Sequence, residues 1–493
     1  MAPEARSIVP ASPSHSRPER AAASRRAGRQ ASHAALIAAL AMAAPGTALA
    51  WDFTPRVELT QTWIDNVTLA PSGLEESEWV TELRPGFSLG LQRPRANLLL
   101  DYDLQALWFA DNSDFNDVYH QATGTGNFVL APETLFLDSF LRYDQQNVDS
   151  SGRIAYTNLL QTGNRTDAVV FGASPYHIGR WGRWGESQLR YDYRTVRYTN
   201  TDEGVSFRLQ DSDTHQLSGF LGSPSERPGL SWRASGSTSV TDYDLAPDFK
   251  YSRVALDVGV PVALRTRATA TVGRESDVAE DRTKGDLDSS FWYLGVEWDP
   301  SELQSVRARV GNRYYGTAYD FSWRRRGSRG DMSVDYSEQP TTASGVLGDE
   351  GVSLPGYRPG GVPSLDTGVF LRKRLGARLS YDFVRATLGA RAYTERRIYE
   401  EVGRANEETY GGTVFLDWDF APRTRMGLTA DWERREFEGA GRKDDLGELS
   451  ARFSRDIGRN LTGTLRLSHF LRDSDQAADY DVNLVAVSLR AVF

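Results

Sequence analysis

The chain has 493 residues, with 57 basic and 66 acidic side chains for a net charge of −9, 11% aromatic residues, 44 Gly and no Cys. Without cysteine there are no disulfides, no thiolate metal sites and no cysteine nucleophile. The 6 His include no H-E-x-x-H pairing, which argues against a zinc hydrolase. No uncharged apolar stretch is long enough for a membrane-spanning helix, whereas abundant Gly and aromatics in a polar chain suit a membrane β-barrel.

Residues 1–33 carry Arg6, Arg17, Arg20, Arg25, Arg26 and Arg29, followed by the apolar run Ala34–Ala44 and the small-residue site Ala48-Leu49-Ala50. This order predicts a secretory signal peptide over residues 1–50, cut before Trp51. Arg25-Arg26 leaves a twin-arginine address as the lesser alternative. Removing the segment takes away 6 basic and 2 acidic side chains, so the remaining chain carries −13. That charge disfavours a nucleic-acid partner.

From Trp51 onward the dominant pattern is two-residue alternation. Leu100, Tyr102, Leu104, Ala106 and Trp108 alternate with Asp101, Asp103 and Gln105. Val306, Ala308 and Val310 alternate with Arg307 and Arg309. The same holds for Leu375, Ala377, Leu379 and Tyr381 against Arg374 and Arg378, and for Met426, Leu428, Ala430 and Trp432 against Arg425, Asp431 and Glu433. Strands of about 10 residues with one greasy and one charged face fit a tilted membrane crossing better than the roughly 5–6 residues of a soluble strand. Connectors divide into tight ones, such as Arg93-Pro94-Arg95, Ala131-Pro132-Glu133 and Ala421-Pro422-Arg423, and long polar ones at 67–78, 146–163, 200–211, 340–366 and 398–407. The expected fold is all-β: a transmembrane antiparallel up-and-down barrel of about 22 strands, or about 20 if 318–337 is loop, with both termini periplasmic. It occupies residues 51–493 as one domain. Trp63, Trp79, Trp108, Trp292, Trp298, Trp418 and Trp432 are candidates for the interfacial girdles. The last strand places Val485, Val487, Leu489, Ala491 and Phe493 on one face, like the insertion signal of Gram-negative outer-membrane barrels.

If the apolar faces meet lipid, the candidate lumen-lining residues are Arg307, Arg309, Arg313, Arg372, Arg374, Arg378, Arg385, Arg391, Arg425, Arg452, Arg466 and Arg490. An arginine lining attracts anions through field and bidentate contacts. Glu395, Asp431, Glu433 and Glu448 lie among them, so the charges either select solutes or brace the wall as ladders. Loop 340–366 either folds inward as a constriction or stays at the surface. His120, His177, His215 and His469 fall in separate strands, and no nucleophile motif accompanies them, so no catalytic residue, metal site or cofactor is expected.

Two stretches carry a family resemblance: residues 51–91, with Asp65-Asn66 ahead of Pro85-Gly86, and residues 311–342, with G-x-R-Y-Y-G at Gly311–Gly316. Both resemble the PEP-CTERM system-associated outer-membrane β-barrel family, itself similar to β-barrel porins proposed for exopolysaccharide loci. The resemblance implies an outer-membrane barrel, without catalytic residues, in a cell that makes extracellular polysaccharide and sorts PEP-CTERM proteins. With the arginine lining, the expected function is a porin-like pore or conduit for an anionic polysaccharide or solute, the alternative a non-conducting scaffold for the same system, and a barrel hydrolase comes last. Expected partners are outer-membrane lipid, lipopolysaccharide and the barrel-assembly machinery, in the outer membrane of a Gram-negative cell.

Overall fold

The computed structural model describes residues 51–202, 209–224, 229–244, 246–279, 287–350, 365, 369–399 and 405–493. The expected signal peptide lies outside them. The strands are β1 (Asp52–Ile64), β2 (Glu78–Arg93), β3 (Ala96–Phe109), β4 (Asp117–Ala131), β5 (Leu135–Asn147), β6 (Arg165–Arg180), β7 (Glu186–Thr199), β8 (Ser212–Gly222), β9 (Ser231–Tyr243), β10 (Phe249–Ala263) and β11 (Thr266–Ala279). They continue as β12 (Leu287–Ser301), β13 (Gln304–Arg313), β14 (Gly316–Arg326), β15 (Gly330–Thr342), β16 (Val369–Asp382), β17 (Ala386–Tyr399), β18 (Glu407–Ala421), β19 (Thr424–Phe437), β20 (Arg442–Asp456), β21 (Leu461–Ser474) and β22 (Tyr480–Val492). One short helix, α1 (Ala343–Glu350), follows β15.

Each strand pairs antiparallel with its chain neighbours, and β1 pairs with β22 from Arg56↔Val492 to Ile64↔Leu484, closing a 22-stranded sheet. Closure leaves no strand without a partner on each side, the condition for a spanning sheet in hydrocarbon. Asp65 reinforces the seam: its two carboxylate oxygens accept the backbone N–H and the Nδ2 of Asn483, both at 2.7 Å. Segment 318–337 is strand rather than loop, divided between β14 and β15, so the larger expected count holds. The tight connector between β13 and β14 is Tyr314-Tyr315, and Gly316 follows it at φ +108°, a left-handed position that suits glycine.

Short turns gather at one rim, at 94–95, 264–265, 302–303 and 422–423, and the longer connectors at the other. The Phe493 N–H donates to the Pro55 carbonyl at 3.0 Å, so the first and last strands begin and end together at the short-turn rim. Strands of 10 to 16 residues rise about 3.3 Å per residue, enough to cross hydrocarbon when tilted. The outer surface is a belt of exposed apolar side chains, among them Leu99, Leu217, Val254, Leu294, Val414, Leu449 and Val487. Exposed tryptophans lie at two heights within it. Trp79, Trp108, Trp292 and Trp432 lie toward the long-loop ends of their strands, and Trp298 and Trp418 lie near short turns. The predicted face of β22 points outward, with Val485, Val487, Leu489 and Phe493 exposed.

Candidate functional site: a lumen closed at one end

Alternation that sends apolar side chains to the belt sends charge inward. Arg307, Arg309, Arg313, Arg372, Arg374, Arg378, Arg391, Arg425, Arg452, Arg466 and Arg490 all stand on the inward register of their strands. Arg385 is the exception, in the turn between β16 and β17.

The two ends of the lumen treat these charges differently. In the long-loop half they are packed and tightly paired. Arg313 donates to both oxygens of Glu275, and the two side chains are 2% exposed each. Glu395, 1% exposed, takes Arg372 at 2.7 Å, Arg374 at 2.6 Å and Arg397 at 2.6 Å. Asp444 takes Arg442 at 2.6 Å and Arg472 at 2.7 Å, and Arg435 pairs with Glu433. Bidentate and shared contacts of this kind answer the desolvation cost of charges held out of water.

In the short-turn half the contacts differ around the wall: Arg56 binds Asp103 at 2.8 Å and is 11% exposed, and Arg190 binds Asp138 at 2.9 Å, whereas from β12 onward most are long and wet. Arg307 lies 3.9 Å from Glu297 and Arg425 lies 3.6 Å from Asp456, both arginines 65% exposed. Arg452 lies 3.5 Å from Asp417 and is 52% exposed. Arg378, Arg466 and Arg490 are exposed and make no ion pair within the described residues. Inward side chains can be this exposed only where the lumen holds solvent.

Two inward segments account for the contrast. The connector between β5 and β6 turns into the barrel. Three arginines on the facing wall hold its backbone: Arg435 donates to the Ser150 carbonyl at 3.0 Å, Arg442 to Ser151 at 2.7 Å and Arg472 to Gly152 at 3.0 Å. Beyond that clamp Ile154, Leu159 and Leu160 are buried with Leu107, Val482 and Leu484 of the inner wall, and Tyr156 stacks on Phe470 with ring centroids 4.6 Å apart. Asn158 donates to Gln105 and Gln145, and Gln161 donates its backbone N–H to Val67 in the first long connector.

The second segment is α1. Leu347 and the downstream Leu365 pack on Val170 and Val196 of β6 and β7, while Val346 packs on Phe370 and Tyr399. The Leu365 N–H donates to the Val148 carbonyl at 2.9 Å, joining the two inward segments. Of the two readings of 340–366, the described part follows the inward one.

Below the clamp lies a cavity of about 360 Å³ lined by Tyr156, Ser333, Asp335, Ser337, Arg374, Arg378, Arg391, Tyr393, Thr413, Asp431, Glu433 and Glu448. Its mixed charge, hydroxyls and aromatic rings suit a polar solute rather than a hydrocarbon. Among the described residues no cluster of metal-ligating side chains occurs.

The structure adds Arg397, Arg435, Arg442, Arg472 and Asp444 to the arginines that alternation points to. Their signal was present but scattered: each stands near the long-loop end of a strand, where the apolar partners that make alternation visible give out.

The quoted motif residues also acquire roles. A Cβ on Gly86 would lie 2.0 Å from Asp103 Oδ1, so glycine leaves room for the carboxylate that Arg56 binds at 2.8 Å. A Cβ on Gly311 would lie 1.9 Å from the Trp292 carbonyl oxygen. Asn66 ties off its own turn, accepting from Ala70 N–H at 2.8 Å and donating to the Ala70 carbonyl at 2.8 Å.

No protein-family model matches the chain, and no curated protein matches it by sequence. Solved structures resemble it in outline. The siderophore receptor PirA from Acinetobacter baumannii is 10% identical, covering 91% of this chain and 81% of that one at a TM-score of 0.48. A mutant of the ferric enterobactin receptor PfeA from Pseudomonas aeruginosa is 10% identical over 91% and 81% of the two chains, TM-score 0.46. OpdK from Pseudomonas aeruginosa, solved with vanillate, is 10% identical over 90% and 99%, TM-score 0.37. By its own closed 22-stranded wall and apolar belt, this chain is a β-barrel of the outer-membrane kind.

Proposed function

We propose that this chain is a porin-like conduit of the Gram-negative outer membrane for anionic solutes or polysaccharide segments, with a water-filled basic vestibule at the periplasmic end and a mouth closed from the cell surface by its own loops. The observation that carries the reading is the gradient of pairing along the β12–β22 side of the lumen, from tightly neutralised arginines under the folded loops to exposed, loosely paired ones at the short-turn rim. Bracing alone asks for no such gradient. Exposed arginines above low-dielectric walls focus a positive potential and raise the local anion concentration. The resemblance of residues 51–91 and 311–342 to exopolysaccharide-associated barrels favours an acidic glycan over a small carboxylate, and it favours a place in a PEP-CTERM or surface-polysaccharide system. Export through a signal peptide and insertion by the barrel-assembly machinery complete the proposal, which contains no catalytic step.

Planar-bilayer recording tests it. Purified protein gives conductance steps with anion preference, and Arg307→Glu, Arg425→Glu and Arg452→Glu together shift the reversal potential toward cations. A bilayer that stays silent, also after the loops are loosened as described below, replaces the conduit by the non-conducting scaffold.

A further inference from the structure

The wall is unzipped along one seam. β13 pairs with β14 over its whole length, from Gln304↔Arg325 to Arg313↔Gly316, and β15 pairs with β16 from Gly330↔Tyr381 to Thr342↔Val369. Between β14 and β15 only six pairs form, from Phe321↔Tyr336 to Arg326↔Asp331. Residues 316–320 and 337–342 therefore belong to strands on one side only. Read across the neighbouring registers, Tyr319 stands level with Val310 and Leu294. All three are exposed on the outer belt, while on the other flank Glu338 continues to the outward-register Lys373, Arg396 and Glu408, so the gap opens at the upper margin of the belt, where acyl chains give way to headgroups.

Unpaired backbone at that depth must be satisfied by something other than lipid tails. Side chains supply part of the answer. Arg313 donates to the Glu338 carbonyl at 3.0 Å. Tyr336 donates to Glu338 Oε1 at 2.5 Å, and Lys373 Nζ stands 3.5 Å from the same oxygen. The Glu338 side chain is 1% exposed; its other oxygen, Oε2, meets no donor at hydrogen-bond distance and angle, with the Tyr315 hydroxyl the neighbour that interacts with the carboxylate. An outward-register carboxylate with a spare buried acceptor in a split of the wall is costly unless a donor arrives to use it.

We propose that the split between β14 and β15 is a lateral portal through which an amphiphile enters from the surrounding bilayer. Its tail stays against the apolar belt, and a hydroxyl or ammonium donor of its headgroup binds Glu338. Ser337, on the neighbouring inward register, lines the cavity described above, so a headgroup passing the split arrives there. This goes beyond passage along the barrel axis and stands or falls separately from it.

The absence of native cysteine makes the test direct. Ser337→Cys carries bimane in proteoliposomes whose lipids have brominated acyl chains, which quench only on close approach. The expected result is loss of bimane emission with brominated phosphatidylethanolamine and less loss with brominated phosphatidylcholine, whose headgroup has no donor. The paired register, continued, sets Ala318 opposite Gln339. Joining Ala318→Cys to Gln339→Cys with a short bis-maleimide before reconstitution, in a chain that reports through an intrinsic fluorescent amino acid at position 337, abolishes the quenching. Glu338→Gln removes the preference between the two headgroups. Emission untouched by either lipid, or quenching that survives the cross-link, overturns the portal. Equal quenching by both lipids in the unaltered chain overturns the role of Glu338.

Discussion

Glu395 shows what one carboxylate does inside this wall. It is the shared acceptor of Arg372, Arg374 and Arg397. Glu395→Gln strands buried guanidinium charge, a change that typically costs about 3–5 kcal/mol. The expected outcome is a clear fall in the temperature at which the protein loses its folded migration on unboiled gels. Arg307→Glu, on a side chain surrounded by solvent, leaves that temperature in place and moves only ion preference. Glycines divide in the same way. Gly316→Ala tolerates the space but not the dihedral, at about 1–2 kcal/mol. Gly311→Ala meets the Trp292 carbonyl and is expected to yield no heat-modifiable band at all. At this scale the inward register of the arginines was readable, because two-residue periodicity against lipid fixes the facing of each position. Which arginines are neutralised was not, since Arg397 reaches Glu407 on the next strand at 3.0 Å and Arg313 reaches Glu275 two strands away, and the register that sets such pairs level is fixed by no local pattern.

Among the elements, the connector between β5 and β6 decides whether the mouth is shut. Tyr156 anchors it by stacking on Phe470, and deleting a buried aromatic costs about 3–5 kcal/mol. Tyr156→Ala is expected to release the connector while the barrel stays folded, seen as protease cleavage within 148–164 and larger or more frequent conductance steps. An uncleaved connector with unchanged conductance would show that the three-arginine clamp suffices. The sequence held a hint of this docking. A connector otherwise read as polar carries Ile154, Tyr156, Leu159 and Leu160. The inner register of nearby strand ends turns apolar at Leu107, Phe109, Val482 and Leu484. Apolar residues on both faces of a strand end mean a second apolar surface, lipid outside and a folded-in loop inside. Alternation along the strand middles gave the barrel away; its failure at the strand ends marked the closed mouth.

As a whole molecule, the barrel sorts charge by solvent. Its overall negative charge resides partly in the acidic connectors, while exposed arginines dominate the vestibule named above. Anion preference is therefore expected to weaken as ionic strength rises, since exposed charges are screened over about 10 Å at 0.1 M salt. A selectivity that ignores salt would place the filter among the buried pairs under the loops instead. Strand number was legible because lipid thickness imposes a minimum strand length and turn residues punctuate it. The half-open seam between β14 and β15 was not legible, because nothing in local composition says that two adjacent strands stop bonding midway.

The seam that joins β1 to β22 has a kinetic corollary. Asp65 and Asn483 are separated by 418 positions along the chain, so the contact that completes the cylinder belongs to the slowest class of loop closure. Until the final strand arrives, the growing sheet exposes two bare margins that invite pairing with other chains. Shortening the polypeptide by its last strand should therefore convert a closed ring into an aggregating ribbon, and a factor that shields those margins during growth should suppress the aggregation.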